Sequence, residues 1–367
     1  MKLFEFEAKD ILKKYGILIP QGELVSKPSQ AKKVVQEIGK PAVLKSQILV
    51  SGRGKSGGIV FVSNAAKARE AAAGLLGSKI KGCLINRLLV EERLDIASQF
   101  YASLAIDRQA RTYVALASAS GGIDIEEFAK ASPDRIARHW IDVTNGFSKK
   151  DALGMLSRFS MDKADADSFA AILETLYEVT LDYDAELVEI NPLVKTQSGA
   201  FAAADARIIV DDNAVFRHPE LTERGLLRAE DTPREAEARK QGLTYVDLDG
   251  EIGIIGNGAG LVMATIDMVS LYGGRPGSFL DLGGGSPAEI ARRGIMLVMA
   301  KPEIKAVLIN ILGGITRCDL VAEAIVQVLG QSDVQKQLVI RITGTNEDEA
   351  TDILRQAGIS SYRNMEE

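Results

Sequence analysis

Apolar positions along the chain recur with two periods, and the switches between them mark out its elements. Phe6, Ile11, Leu12 and Tyr15 fall at near-helical spacing before Gly16, which predicts a helix over 6–15. Val34, Val35 and Ile38, closed by Gly39, predict another over 29–38. Short apolar runs at 42–45 and 58–62 predict strands on either side of a glycine-rich loop, with a helix near 64–76 after them. Strands are expected at 88–91, 99–106 and 112–118, the last two joined by a hairpin loop at 107–111. The best-marked helix is 165–181, where Phe169, Ile172, Leu173, Leu176, Tyr177 and Thr180 keep to one face.

The pattern then breaks. Residues 223–241, with RAEDTPREAEARKQ inside them, hold few large apolar residues and many charges of both signs. They are expected to be a linker plus a solvated helix between two domains, or else an exposed helix within one domain. Beyond them EIGIIGNGAG, SFLDLGGGSP, AVLINILGGITRCD and LVIRITGTNEDEA share one grammar of apolar strand, small-residue loop and helix. That alternation predicts a parallel sheet with helices on both faces. Ligands of such sheets lie outside the carboxyl ends of the strands, so the four loops are expected to line one edge.

Composition narrows the class. The chain has 367 residues, 46% hydrophobic and 26% charged, which fits two or three globular domains and excludes a disordered or fibrous chain. The formal net charge of −6 gives no basis for broad capture of nucleic acid or anionic membrane. Cys83 and Cys318 lie too far apart in sequence for a CxxC pair, and two cysteines make no disulfide framework. The charged start MKLFEFEAKD lacks the apolar stretch expected of a signal peptide, and no apolar run approaches the roughly 18 residues of a membrane span. A cytoplasmic protein is expected. With only His139 and His218 present, imidazole chemistry has little to build on; both are expected to pack or face solvent, without acidic neighbours set to orient a nucleophile. Cys318, at an expected helix start, is taken as a buried thiol.

Three groups of residues could carry chemistry. In KSQILVSGRGKSGG, Lys45 ends a strand and Gly52, Arg53, Gly54, Lys55, Gly57 and Gly58 follow. Such a loop can fold its amides over phosphate oxygens while Lys45 and Arg53 neutralise charge, although the P-loop spacing is absent. A flexible basic surface loop is the other reading. In LVEINPLVKTQSGAFAAADA, a hairpin turning on Gln197-Ser198-Gly199 pairs Thr196 with Ala200 and so brings Asn191 opposite Asp205, with Glu189 on the same face. One amide oxygen and one carboxylate suit a Mg²⁺ that keeps waters and phosphates as its other ligands. A polar cross-strand pair on a solvated face is the alternative, and Pro192 marks a possible bulge. The third group is the loops GNGAG, with Asn257, and Gly313-Gly314-Ile315-Thr316 before a helix near Asp319. Each alone is a tight strand-to-helix turn; several on one edge favour an anionic ligand.

Taken together, EAKDILKKYGI, SGRGKSGG, VEINPLV with its spacing to Asp205, DDNAVFRHPEL, GNGAGLVM, FLDLGGG and NILGGITRCDL carry a resemblance. Over nearly its whole length the chain resembles the β-subunit family of ADP-forming succinate–CoA ligases (succinyl-CoA synthetases). The resemblance implies an α/β protein: an α+β ATP-grasp domain over 1–230, with 21–98 as its inserted subdomain, then a flavodoxin-like parallel α/β CoA-ligase domain over 231–367. It makes Lys45, Gly52, Arg53 and Gly54 nucleotide-phosphate contacts and puts Glu91 and Leu94 at the adenine and ribose end. Gln99 falls at the nucleotide site, where many members carry glutamate. Asn191 and Asp205 match Mg²⁺ ligands, and Glu189 matches a carboxylate that orients a phosphorylated histidine. Asn257, Gly314, Ile315 and Thr316 match substrate-side loops.

The implied reaction passes phosphate from ATP or GTP to a histidine and then to succinate, and CoA displaces it. The resemblance puts that histidine and the CoA site on a separate α subunit, in a heterodimer or an α2β2 heterotetramer, which accounts for the scarcity of histidine here. Besides Gln99, the chain departs from the family in a short 81–89 segment and in ending at SYRNMEE, where relatives continue into a further helix. The β subunit of a malate–CoA ligase shares most of these motifs. A single-chain ATP-grasp carboxylate ligase is disfavoured by the repeated glycine loops after Glu251. A nucleotide sensor need not keep Lys45, Asn191 and Asp205 together.

Overall fold

A computed structural model of the chain describes residues 1–50, 52–123, 125–222, 232–285, 287–331 and 336–367. It divides into two compact units, Met1–Glu230 and Asp231–Glu367.

Beside a two-stranded ribbon of Lys79–Ile80 and Cys83–Leu84, two main antiparallel sheets build the first unit. The smaller has the order Gly22–Val25, Leu88–Glu92, Ala42–Ser46, Ile59–Val62. The helices Pro28–Ile38 and Ala65–Leu75 complete its core, with Val34, Val35, Leu44 and Val90 inside. Pro at the first turn and a left-handed Gly39 at the end bound the first of these helices, and the Asn64 side chain caps the second.

The larger sheet is centred on the strand Ala185–Thr196. On one side it pairs with Phe201–Ala203 and Ala206–Val210; on the other follow Ile96–Asp107, Thr112–Ser118 and Ala137–Trp140. Alternation sorts its two faces. Val188, Ile190, Ala102 and Leu104 share the main apolar cluster with residues of the helices Glu5–Lys14, Lys149–Leu156 and Lys163–Asp182, whereas Glu189, Asn191, Tyr101 and Ser103 point the other way. Trp140 ends the outermost strand half-exposed, its indole N–H donating to Asp107 at 2.8 Å.

The second unit is a five-stranded sheet in the order Thr244–Asp247, Pro276–Asp281, Ile252–Gly256, Ala306–Gly313, Gln337–Gly344. Four of these strands are parallel, as the sequence grammar predicts; Thr244–Asp247 runs antiparallel at one edge and was not anticipated. Of the expected linker and helix, residues 223–231 lie outside the described residues, and the helix occupies Pro233–Lys240 with Ala238 alone buried.

Candidate functional site

The first unit holds a cleft of about 680 Å³ between its two main sheets. Val43, Lys45 and Phe61 line it from the smaller sheet, and Gln99, Pro192 and Asp205 from the larger. Glu91 and Leu94 also reach it.

At one end of the cleft six ionic side chains form a single network. The Lys45 ammonium lies 2.8 Å from Glu5 and 2.9 Å from Glu91 and donates to the Ala204 carbonyl. Lys9 donates to both Glu91 oxygens, at 2.7 and 2.8 Å, and to Ala204, and stands 3.0 Å from Glu5. Arg53 ties the glycine loop to the same cluster, 2.9 Å from Glu5 and bidentate on Asp205 at 3.1 and 3.2 Å. Glu5 is thus shared by three cations. Burial pushes its carboxyl up, but Lys45, Lys9 and Arg53 overcome this and hold it well below the usual carboxylate range. Burial likewise opposes the Lys45 charge, and the Glu5 and Glu91 carboxylates more than reverse that.

Both Glu91 oxygens are engaged by Lys9 and Lys45, and the residue lines the cleft together with Leu94. Leu94 and Gln99 line the open cleft, and Gln99 pairs with Val194 across the sheet. The glycine loop turns tightly on itself. Gly58 N donates to Arg53 O at 2.8 Å, and Gly52 sits at φ +76°, a conformation that favours glycine. Gly54 stands within that turn, accepting from Gly57 N at 3.3 Å.

The hairpin has the register predicted from its turn: Thr196 N donates to Ala200 O at 2.9 Å and Asn191 N to Asp205 O at 3.2 Å. A cis bond joins Asn191 to Pro192, and the ladder with the neighbouring strand shifts there. Asn191 Oδ1 accepts from Gly122 N at 2.8 Å and its amide nitrogen donates to Ile123 O at 3.0 Å. Gly122 sits at φ +71°, a conformation that favours glycine, with the Gln99 side-chain oxygen close beside it. Asp205 spends its charge on Arg53, and burial together with Glu5 still raises its pKa. A hard divalent cation fits this set. The Asn191 oxygen keeps a lone pair, and the Asp205 oxygens, although they accept from Arg53, keep lone pairs as well.

Glu189 stands one rung away and accepts from the Tyr101 hydroxyl at 3.0 Å. Burial raises its pKa, with Tyr101 and Arg207 acting in the opposite sense.

In the second unit the strand-end loops meet at one edge, as expected. Asn257 Oδ1 accepts from Leu312 N at 2.8 Å, and its amide nitrogen donates to Leu312 O at 2.9 Å and to the Thr316 hydroxyl at 3.1 Å. Thr316 is buried and also accepts from Gly285 N at 3.0 Å. Gly314 O accepts from the Thr345 hydroxyl at 2.9 Å, while Ile315 stands 84% exposed just before the helix Cys318–Gln331. Asp281, not singled out in sequence, joins two of the loops by accepting from Gly258 N and Gly283 N at 2.6 and 2.7 Å. Burial raises the Cys318 thiol, against the depression a helix start can cause.

The expectation for the histidines holds for packing and fails for the absence of acidic neighbours. His218 is buried, stacked on Tyr183, with Nε2 2.9 Å from Asp184 and Nδ1 3.9 Å from Glu220. Its nearest carboxylate comes from 34 residues away in sequence, which local reading could not find. His139 packs against Phe147.

Residues 2–195 match an ATP-grasp domain family and residues 255–367 a CoA-ligase family. A succinate–CoA ligase [ADP-forming] subunit beta from Ignicoccus hospitalis is 45% identical, covering 100% of this chain and 97% of that protein. A succinate–CoA ligase [GDP-forming] subunit beta from Thermus thermophilus is 43% identical, covering 99% and 95%. Among solved structures, an ATP citrate lyase from Methanothrix soehngenii superposes with a TM-score of 0.78 at 16% identity, covering 100% and 97%, a likeness of fold. The two-domain arrangement and these matches define an ATP-grasp CoA ligase, an acid–thiol ligase that uses a nucleotide. Within that class the chain belongs to the succinate–CoA ligase β-subunit family. Among the described residues no helix is long and apolar enough to cross a membrane.

Proposed function

We propose that this chain is the nucleotide-binding β subunit of a succinate–CoA ligase, acting with an α subunit that carries the phosphohistidine and the CoA site. The assembled αβ or α2β2 enzyme converts succinate, CoA and ATP (or GTP) to succinyl-CoA, ADP (or GDP) and phosphate. The γ-phosphoryl leaves the nucleotide for the partner's histidine and passes to a succinate carboxylate. The CoA sulfur then displaces it from succinyl phosphate. In this reading 1–230 is the ATP-grasp domain with 21–98 as its inserted subdomain, and 231–367 is the flavodoxin-like ligase domain.

The ionic network at the end of the cleft carries the reading. Lys45 and Arg53 are paired to carboxylates that a nucleotide phosphate can replace, so both cations are oriented before the ligand arrives. Glu5 and Lys9 hold that arrangement from beneath. Leu94 and Gln99 take the base and ribose in the wider part of the cleft, and Gly52 and Gly54 let the loop approach the phosphates. Asn191 and Asp205 would hold Mg²⁺, which when bound supplies positive charge to the phosphate oxygens. Glu189 orients the incoming histidine. The second unit's loops, through Asn257, Gly314, Ile315 and Thr316, take the substrate side.

Co-expression with an α subunit tests the scheme. The complex is expected to form succinyl-CoA from succinate with ATP or GTP and to carry phosphate on the α-subunit histidine. A complex that prefers malate, or phosphate on His139 or His218, would overturn it.

A further inference from the structure

The face of the large sheet that bears Asn191 and Asp205 continues into a second rung that the scheme above leaves partly unused. There Arg207 lies directly opposite Glu189, and Glu189 opposite Ser103. Opposed residues of an antiparallel pair keep their Cβ atoms about 5 Å apart, so a guanidinium and a carboxylate placed this way are within easy reach of an ion pair. None forms. The Glu189 carboxylate accepts from Tyr101, while the Arg207 guanidinium, whose charge still acts on Glu189, makes no side-chain hydrogen bond or ion pair with a described residue. Its Nε is buried without a protein acceptor, a place that a bound water or a ligand can complete.

The neighbouring cations differ. Lys9, Lys45 and Arg53 are each committed to carboxylates within 3.1 Å. Arg207 is two residues beyond Asp205, which lies in the bend just before the strand Ala206–Val210. A phosphoryl group moving away from the Asn191–Asp205 rung meets the negative charges of Asp205 and Glu189. It needs a cation that is not already paired, and a planar guanidinium offers a fork that fits phosphoryl oxygens.

We infer that Arg207 contacts the phosphoryl group during its transfer from the nucleotide to the partner's histidine. The inference rests on the phosphoryl-relay reading above. In that step the bond from the γ-phosphorus to the β,γ-bridging oxygen breaks, its electron pair leaving with the diphosphate, and a bond to an imidazole nitrogen forms. Arg207 neither gives nor takes a proton.

Arg207→Gln and Arg207→Lys, each assembled with the α subunit, test it. Two quantities are read: Mg²⁺–ADP affinity by calorimetry, and single-turnover labelling of the α-subunit histidine from γ-labelled ATP. Labelling is expected to slow about 100-fold in Arg207→Gln and to recover at least about tenfold in Arg207→Lys, with ADP affinity unchanged within about threefold. Labelling within threefold of wild type in Arg207→Gln would overturn the inference. So would a fall in ADP affinity as large as the fall in rate, which marks an ordinary nucleotide contact. Equal losses in both variants with a lowered melting midpoint mark a structural role and overturn it as well. If the wild-type complex itself takes no phosphate onto histidine, the relay reading fails instead.

Discussion

At the closed end of the cleft in Met1–Glu230, every partner of Lys45 is a carboxylate or a carbonyl. At the sheet edge in Asp231–Glu367, Asn257 and Thr316 bond only to backbone groups and to each other. The first is a charged lattice in which each carboxylate or cation is shared, so a single removal leaves buried partners with fewer counterions rather than none. The second is a neutral staple holding loops together, where a lost bond costs only its modest net worth. A site proposed for a highly charged phosphate chain and a site that positions loops therefore ask for different materials.

Lys45→Met breaks that contrast most severely. It removes one of three cations from Glu5 and one of two from Glu91, and is expected to lower the stability of the first unit by about 1.5–3 kcal/mol and abolish measurable nucleotide binding. Denaturant melts and calorimetry check both; a variant that melts and binds normally would remove Lys45 from the lattice. Asp205→Ala leaves Arg53 its bond to Glu5, so the fold is expected to survive while phosphoryl transfer in the assembled enzyme falls by about 100-fold or more. Near-normal turnover would count against the metal assignment.

Acid sharpens the comparison. Because Glu5 is held below the ordinary carboxylate range, its contribution is fully present above its unfolded pKa of about 4.3 and fades as the pH drops through that value toward the folded one. Glu5→Gln is expected to be less stable at neutral pH and to lose less on acidification from pH 5 to 3. Parallel curves for the two proteins would refute this.

In the second unit, Asn257→Ala deletes three hydrogen bonds and is expected to cost about 1–3 kcal/mol, with nucleotide affinity untouched. The smallest effect is reserved for Ile315→Ala, which at 84% exposure should change stability by less than about 0.5 kcal/mol. Slower acyl-CoA formation in that stable variant would show that a ligand or partner covers the side chain.

Much of this was legible from period and turn chemistry. The Thr112–Ser118 strand and the hairpin register follow from alternation and from the Gln197-Ser198-Gly199 turn, both local signals. The lattice was not legible. Periodicity in the first helix points to Phe6, Ile11, Leu12 and Tyr15, yet Glu5 and Lys9 are buried in it. A clue was present in two opposite charges four residues apart, flanking Ala8 on the buried stripe. Their partners Lys45, Arg53 and Glu91 come from distant segments, and no local rule joins them. Arg207 is a similar case, since only the completed sheet reveals that it faces Glu189 without pairing to it.

Trp140 is the only tryptophan in the chain, and it sits half in solvent on the outer strand of the large sheet, tethered to Asp107. Excitation at the red edge of the ultraviolet therefore addresses the amino-terminal unit by itself. Paired with circular dichroism, which sees both units, this lone indole separates the melting of one half from that of the other without any added dye.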